Sequence, residues 1–477
     1  MLWLLLRKFC LAYLVVPVFL PGLCPGQTRD PAGARANRLE QALQLARSHR
    51  YAEAAAAIRG VPPPEDRQQR IVFFRLRASI ESGLGHSASA ATDMEAGAAL
   101  APQNTDLQIA ARLARLEAQL ESHASPTPTL EALRGFALPS DKQLEIRLRV
   151  AEMLSAASLY AEAAKDLEEA SRLAPGRADI LFNLALARYR NGEWDAALAS
   201  AERARALEDG GSLEALLGDI QEKRGDPLAA VHSYQAAVML EPNVEEHRLV
   251  LARELLKHQT FDAAILVLEQ AGELFPRSVR VKILLGLSYF LVDRSADSIR
   301  TLLAATKLNP RDELAARYLG EVTLQDSAAP NPEAVAEICL FADAHPSSYN
   351  AEALCGGVLL RVAEESGDVS RQAELFRRLQ QAVRIAPQEP MTRCLLGKAF
   401  EWSQQWQQSR VHLEKCAQLD PDSPEAHYRL ARVYRRMGLT TLANEQTVLQ
   451  QQAAQRQSEE STRRTNTVTR FLVLFDH

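Results

Sequence analysis

The chain has 477 residues and a formal net charge of −5, which gives the molecule as a whole no attraction to nucleic acid. Hydrophobic residues make up 47% and aromatic residues only 6%, enough for a sizeable core, but one packed by alanine and leucine. Such a length would ordinarily divide into two to four compact domains, a count that does not apply where stacked units pack only on their neighbours.

Residues 1–26 read as a secretory signal. Arg7 and Lys8 precede an apolar run of twelve residues, 9–20, short for a membrane span and normal for a signal core. Pro21, Gly22, Leu23, Cys24, Pro25 and Gly26 follow and suit a cleavage region ending at Gly26. The alternative is an uncleaved anchor over residues 9–23, with Arg7 and Lys8 holding the N-terminus inside and the remainder sent across. Lipid attachment at Cys24 is disfavoured by the bulky Leu23 before it. The chain contains no Asn-x-Ser/Thr sequon, which favours a bacterial envelope, periplasmic or secreted, over eukaryotic export.

Helical periodicity begins near Ala34. Residues 34–58 form a divergent helix pair, with Tyr51 and Ala54 opening the second helix, and a proline-rich break follows at 61–64. A regular unit over 71–104 shows Ala78, Gly85, Ala90, Met94, Gly97, Leu100 and Pro102. Residues 105–142 carry a strong first helix and then Ser125-Pro126-Thr127-Pro128, which reads as a linker. The chain therefore divides into a divergent N-terminal array (34–142) and a main array (144–448). The main array opens with Ala151, Tyr160, Ala163, Leu167, Ala170 and Pro175, then Leu181, Leu184, Ala185, Gly192, Trp194 and Ala197. In the most regular stretch, 211–312, Pro242, Pro276 and Pro310 stand 34 residues apart. The spacing then loosens to 36 residues (Pro310 to Pro346) and 41 (Pro346 to Pro387), which predicts inserted loops near 326–331 and 364–370. Order returns with Leu396, Gly397, Phe400, Trp406, Leu413 and Pro421, and with Leu430, Ala431, Tyr434, Gly438 and Ala443. Residues 449–477 are a polar, glutamine-rich helix and an apolar tail, Phe471-Leu472-Val473-Leu474-Phe475. The tail either caps the last unit or adds as a strand to a partner's sheet edge.

A fixed period of this length decides the architecture. Small residues recur in the middle of the first helix (Gly218, Ala252, Gly286) and early in the second (Ala230, Ala264, with Ser298 less ideal). They recur again two turns later (Ala237, Ala271, Ala305). Such residues let antiparallel helices approach closely, and the residue before each proline leaves the α region, so the second helix stops there. This pattern resembles the tetratricopeptide repeat, a helix–turn–helix unit of 34 residues. The resemblance covers most of the chain beyond residue 34 and implies an all-α fold, an α-solenoid of helical hairpins.

The sequence contains no His-Glu-x-x-His, Cys-x-x-Cys-His, Gly-x-Ser-x-Gly or phosphate-cradling glycine loop, so no catalytic, cofactor or metal site is predicted. The resemblance implies instead a non-catalytic scaffold or adaptor that holds peptides or proteins in a concave groove lined by first helices. Carried over by repeat position, that groove includes Phe182, Tyr189, Arg253, Lys257, Arg317, Lys398, Trp402, Tyr428, Arg432 and Arg435. The lysine–asparagine clamp that some relatives use for a peptide carboxylate is not supplied, since Asn183 stands without its lysines. Phe182, Tyr189 and Trp402 are aromatic anchor candidates, unless Tyr189 and Trp402 pack between units. Arg429, Arg432, Arg435 and Arg436 make the last unit basic, either to meet an acidic peptide or surface or as a solvated face.

The same frame sets Cys394 in a first helix opposite Cys416 in the antiparallel second, and Cys339 near Cys355 of the next helix. The pairs Cys394–Cys416 and Cys339–Cys355 are disulfides in an oxidising compartment or small buried thiols at helix contacts. The reading is an exported protein-interaction scaffold with protein or peptide partners and no nucleic acid. A membrane-anchored assembly factor with the same repeats is the alternative. A binding protein or enzyme accessory for polysaccharide or another polymer is a distant one.

Overall fold

A computed structural model describes residues 31–464, with side chains over 35–458. The expected signal or anchor (1–26) and the apolar tail (471–475) lie outside the described residues. Twenty-four helices follow one another, and no strand occurs among the described residues. The chain forms two compact units, Met1–Glu208 and Asp209–His477.

The first unit contains α1 (Pro31–Arg47), α2 (Tyr51–Ile58), α3 (Arg67–Gly83), α4 (Ser87–Ala99), α5 (Thr105–Glu121), α6 (Thr127–Arg134), α7 (Ser140–Ala156), α8 (Tyr160–Leu173), α9 (Ala178–Arg190) and α10 (Trp194–Arg205). The second contains α11 (Gly211–Lys223), α12 (Pro227–Leu240), α13 (Glu245–Lys257), α14 (Phe261–Leu274), α15 (Val279–Leu291), α16 (Ser295–Leu308), α17 (Glu313–Gln325), α18 (Pro332–Ala344), α19 (Tyr349–Ser366), α20 (Gln372–Ile385), α21 (Pro390–Trp402), α22 (Trp406–Leu419), α23 (Pro424–Arg436) and α24 (Thr440–Arg464). Odd-numbered helices are the first members of hairpins and even-numbered helices the second.

Local chemistry sets the boundaries. Asn104, Ser278, Asp312, Ser348 and Ser423 stand before first helices, each accepting a hydrogen bond from the backbone N–H three residues on, which satisfies an otherwise orphaned donor. The turn inside most of the hairpins uses one left-handed residue. Gly192, Gly225 and Gly438 supply it with φ near +80° (80°, 79° and 77°), and Gln259, Asp293 and Gln404 adopt it at the equivalent place despite their side chains. The small residues act as predicted. Ala230, Ala264, Ser298, Ala237, Ala271 and Ala305 are fully buried, and a Cβ on Gly218 would come within 2.5 Å of the Tyr234 ring.

Of three departures from the regular period, two fold differently from the sequence expectation. The interruption at 125–128 is not a linker, because Pro126 precedes α6, and Leu130 and Leu133 share one core with Ile109, Leu116, Val150 and Leu154. Proline is compatible with a first helical turn, where the missing N–H has no intrahelical partner. The loop near 326–331 is present between α17 and α18. The loop placed at 364–370 begins only at Gly367, because α19 runs for 18 residues against 13 in α17. Arg361, just ahead of the added length, donates to the backbone oxygen of Thr323, to that of Ala328 at 2.6 Å and to Glu365 Oε1 at 2.5 Å. One guanidinium thus ties the longer helix to the longer loop. Beyond α23, α24 runs for 25 residues, its exposed residues including Asn444, Gln451 and Gln452 beside Leu442, Val448 and Leu449. No helix of the described residues is long and apolar enough to cross a membrane.

Candidate functional site

The first helices carry all of the predicted groove residues, and their charges are largely matched along the array. In the second unit Glu222 of α11 meets Lys257 of α13 at 2.5 Å, and Glu246 of α13 meets Arg280 of α15 at 2.8 Å. Glu364 of α19 meets Lys398 of α21 at 3.0 Å, and Glu401 of α21 meets Arg429 and Arg432 of α23 at 3.0 and 3.2 Å. In the first unit Asp106 of α5 pairs with Lys142 of α7 at 2.8 Å. The sense is constant: the carboxylate lies on the earlier helix and the cation on the later one. Lys257 and Lys398 are therefore neutralised within the array, and exposed pairs of this kind contribute only about 0–1 kcal/mol to stability.

The other candidates fall into two groups. Phe182, Tyr189 and Arg253 are half-buried. Arg317 lies over the ring of Tyr318 (5.0 Å to its centroid), with Glu321 at 3.6 Å, and Trp402 packs against the largest core. That core takes in Ile283 and Leu287 of α15 and Leu359 and Leu360 of α19, so apolar packing fills the first-helix side there. On α23, by contrast, Tyr428, Arg432 and Arg435 are exposed, as is Arg436. Positions 428, 432 and 435 share one helix face. The Arg432 guanidinium sits 5.7 Å from the Tyr428 ring centre, and Arg435 donates to Thr447 Oγ1 at 2.7 Å. Burial opposes the charge on Arg429, but Glu425 and Glu401 together raise its pKa.

Several ionisable groups prove structural. Tyr234 donates to Asp219 at 2.7 Å, Tyr289 to Glu269 at 2.6 Å and Tyr434 to Glu414 at 2.7 Å. Burial, reinforced by the carboxylates, pushes Tyr289 and Tyr434 up to about 12, so both remain neutral donors at ordinary pH. Buried ion clusters were missed in the sequence. Arg378 of α20 contacts Glu352 of α19, and Asp166 of α8 takes Arg134 and Arg147 at 2.6 Å each. A signal existed: Arg147 and Glu352 each stand four residues before the small first-helix residue, a place that Arg393 and His427 also fill.

Cys339 of α18 is joined to Cys355 of α19 (Cα–Cα 4.8 Å), and Cys394 of α21 to Cys416 of α22 (5.2 Å). The Glu374 carboxylate stands beside the first pair, the three potential ligand atoms within 4.8 Å of one another, but sulfurs bonded to each other are not thiolate ligands. In the first unit a cleft of about 410 Å³ opens beside the short α6, lined in part by Gln108, Arg112, Arg115 and Thr129. Its amide and guanidinium groups are engaged within the unit. Gln108 Nε2 donates to the Ala98 carbonyl at 2.8 Å, Arg112 donates to Gln108 at 3.1 Å, and Arg115 pairs with Glu95 at 3.3 Å.

A sequence profile described as tetratricopeptide repeat matches residues 154–211, across α8, α9 and α10, where the hairpins and their small residues are already in register. That segment carries tetratricopeptide repeats. A comparison with curated protein sequences finds no match. Among solved structures, these repeats are similar to YrrB, a tetratricopeptide-repeat protein with a peptide-binding site described as unusual, at 22% identity over 38% of this chain and 97% of that one (TM-score 0.32). They are also similar to the C-terminal part of a repeat protein from Cytophaga hutchinsonii, at 16% identity over 59% and 99% (TM-score 0.40). Yeast Tom70 is similar at 14% identity over 88% and 97% (TM-score 0.33). Likenesses this distant say nothing of function.

Proposed function

We propose that the chain is an exported scaffold that holds protein or peptide partners on the first-helix side of its repeats and performs no chemistry of its own. The observation that carries this reading is the α23 face. It joins an exposed tyrosine to exposed arginines, the residue types that concentrate binding energy at interfaces, on a helix fixed by its neighbours. A photo-crosslinking amino acid at position 428 is expected to capture a discrete protein species in the producing cell. The same group at position 228, on the opposite side of a hairpin and 76% exposed, serves as the control. Identical species from both positions would sink the proposal.

Export is supported by the apolar run behind Arg7 and Lys8 and by the paired cysteines, since disulfides persist in oxidising compartments. Thiol titration of mature protein, denatured without reductant, is expected to find no free thiol at Cys339, Cys355, Cys394 or Cys416. Four reactive thiols would remove this support. The membrane-anchored form differs only in retaining residues 9–23, which N-terminal sequencing of the mature chain distinguishes.

A further inference from the structure

We propose that the exposed face of α23, formed by Tyr428, Arg432 and Arg435 with Arg436 at its edge, docks an acidic peptide segment. The inference rests on the protein-binding reading above and names the chemistry of the partner. Along the second unit four first-helix carboxylates, Glu222, Glu246, Glu364 and Glu401, meet a cation on the next first helix. α23 is the last first helix among the described residues, and it receives such a carboxylate in Glu401, only 5% exposed, whose two oxygens hold Arg429 and Arg432. Beyond those two residues the pairing runs out. Arg435 bonds to the neutral hydroxyl of Thr447, and Arg436 is exposed.

Four guanidiniums (Arg429, Arg432, Arg435, Arg436) are opposed by two carboxylates, Glu401 and Glu425, an excess of two positive charges on one helix face. The Arg432 guanidinium beside the half-exposed Tyr428 ring adds a flat surface for an apolar or aromatic side chain. Three or four residues along a helix span roughly 4.5–6 Å, close to the roughly 6.6 Å between alternate residues of an extended chain. The face therefore suits an extended segment with acidic residues at alternate positions. Nucleic acid fits less well, because the patch is a single helix face flanked by carboxylates in a chain of net charge −5.

The test uses the full mature chain and fluorescence anisotropy with a short fluorescein-labelled peptide of alternating Glu and Val. Parallel probes are the same peptide with Lys for Glu and a short oligothymidylate. The Glu peptide is expected to bind, and to bind about tenfold more weakly when NaCl rises from about 0.05 to about 0.3 M. Arg435→Glu/Arg436→Glu should weaken it by about tenfold or more, with the melting curve unchanged because both side chains are exposed. Tyr428→Ala should weaken it similarly. Absence of Glu-peptide binding, equal binding of the Lys peptide, or indifference to the charge reversal would each overturn the inference, as would tighter binding of the oligothymidylate. Crosslinking from position 428 separates the two readings. If Arg435→Glu/Arg436→Glu leaves the captured species unchanged, the scaffold reading stands and the acidic partner does not. If position 428 captures nothing beyond the control, the scaffold reading itself falls.

Discussion

Replacing Arg378 with methionine is expected to destabilise the second unit by about 3–5 kcal/mol, the scale for removing one partner of a buried ion pair. The Arg378 side chain is 3% exposed and the Glu352 side chain 2%. One guanidinium nitrogen lies 3.4 and 3.3 Å from the two Glu352 oxygens, and the other reaches Asp343. Methionine would fill much of the volume but leave Glu352 charged, or forced to take up a proton, where water cannot reach it. Arg378→Lys should restore little, because a point charge cannot make the forked contact to carboxylates on two helices. Urea unfolding followed by circular dichroism measures the loss. Glu352→Gln/Arg378→Met should be less destabilised than Arg378→Met alone. If the single substitution costs under about 0.5 kcal/mol, the cluster is not the buried anchor described here.

The position of this cluster explains how the array tolerates its irregularity. Arg378 joins α18, α19 and α20, where the spacing departs from 34 residues, and Arg361 fastens the long α19 to the loop before α18. Where the repeat is regular, apolar and small residues at fixed intervals are enough. Where it lengthens, directed hydrogen bonds hold the helices in place. Such bonds specify geometry that apolar packing alone leaves open.

The regular hairpins were legible because their determinants are local and periodic. A small residue marks each first helix, and the residue seven places later takes the left-handed turn, whether it is Gly225 and Gly438 or Gln259 and Gln404. Proline spacing located the extra residues near 326–331 and 364–370 but could not divide them between helix and loop, so the extension of α19 to Ser366 went unread. The short helix α6 was concealed by the prolines of its own first turn. The candidate surface was harder to read. The pattern offered Lys257, Lys398 and Arg432 alike as groove residues, yet whether such a charge is free depends on a residue one repeat away, as Glu222 and Glu364 show. Trp402 likewise carries the composition of a binding anchor but lies against the core, which a periodic pattern does not distinguish.

Two glycines in successive helices should respond to substitution with opposite sign. A Cβ on Gly286 of α15 would lie 2.6 Å from Leu302 Cγ, 2.9 Å from its Cδ2 and 3.4 Å from the Ser298 carbonyl. Leu302 is fully buried and cannot swing into solvent, so Gly286→Leu should force α15 and α16 apart at a cost of about 3 kcal/mol. Gly272, within α14, has nothing within 4 Å of the same built atom and no positive φ. There the added methyl only removes backbone freedom from the unfolded chain, and Gly272→Ala should stabilise by about 0.5–1 kcal/mol. Urea unfolding of both variants measures the two effects against one baseline. An unchanged midpoint for Gly286→Leu would mean that the close helix contact, from which the frame of the whole array was read, is absent. A loss of stability in Gly272→Ala would mean that α14 packs through the side assigned here to solvent.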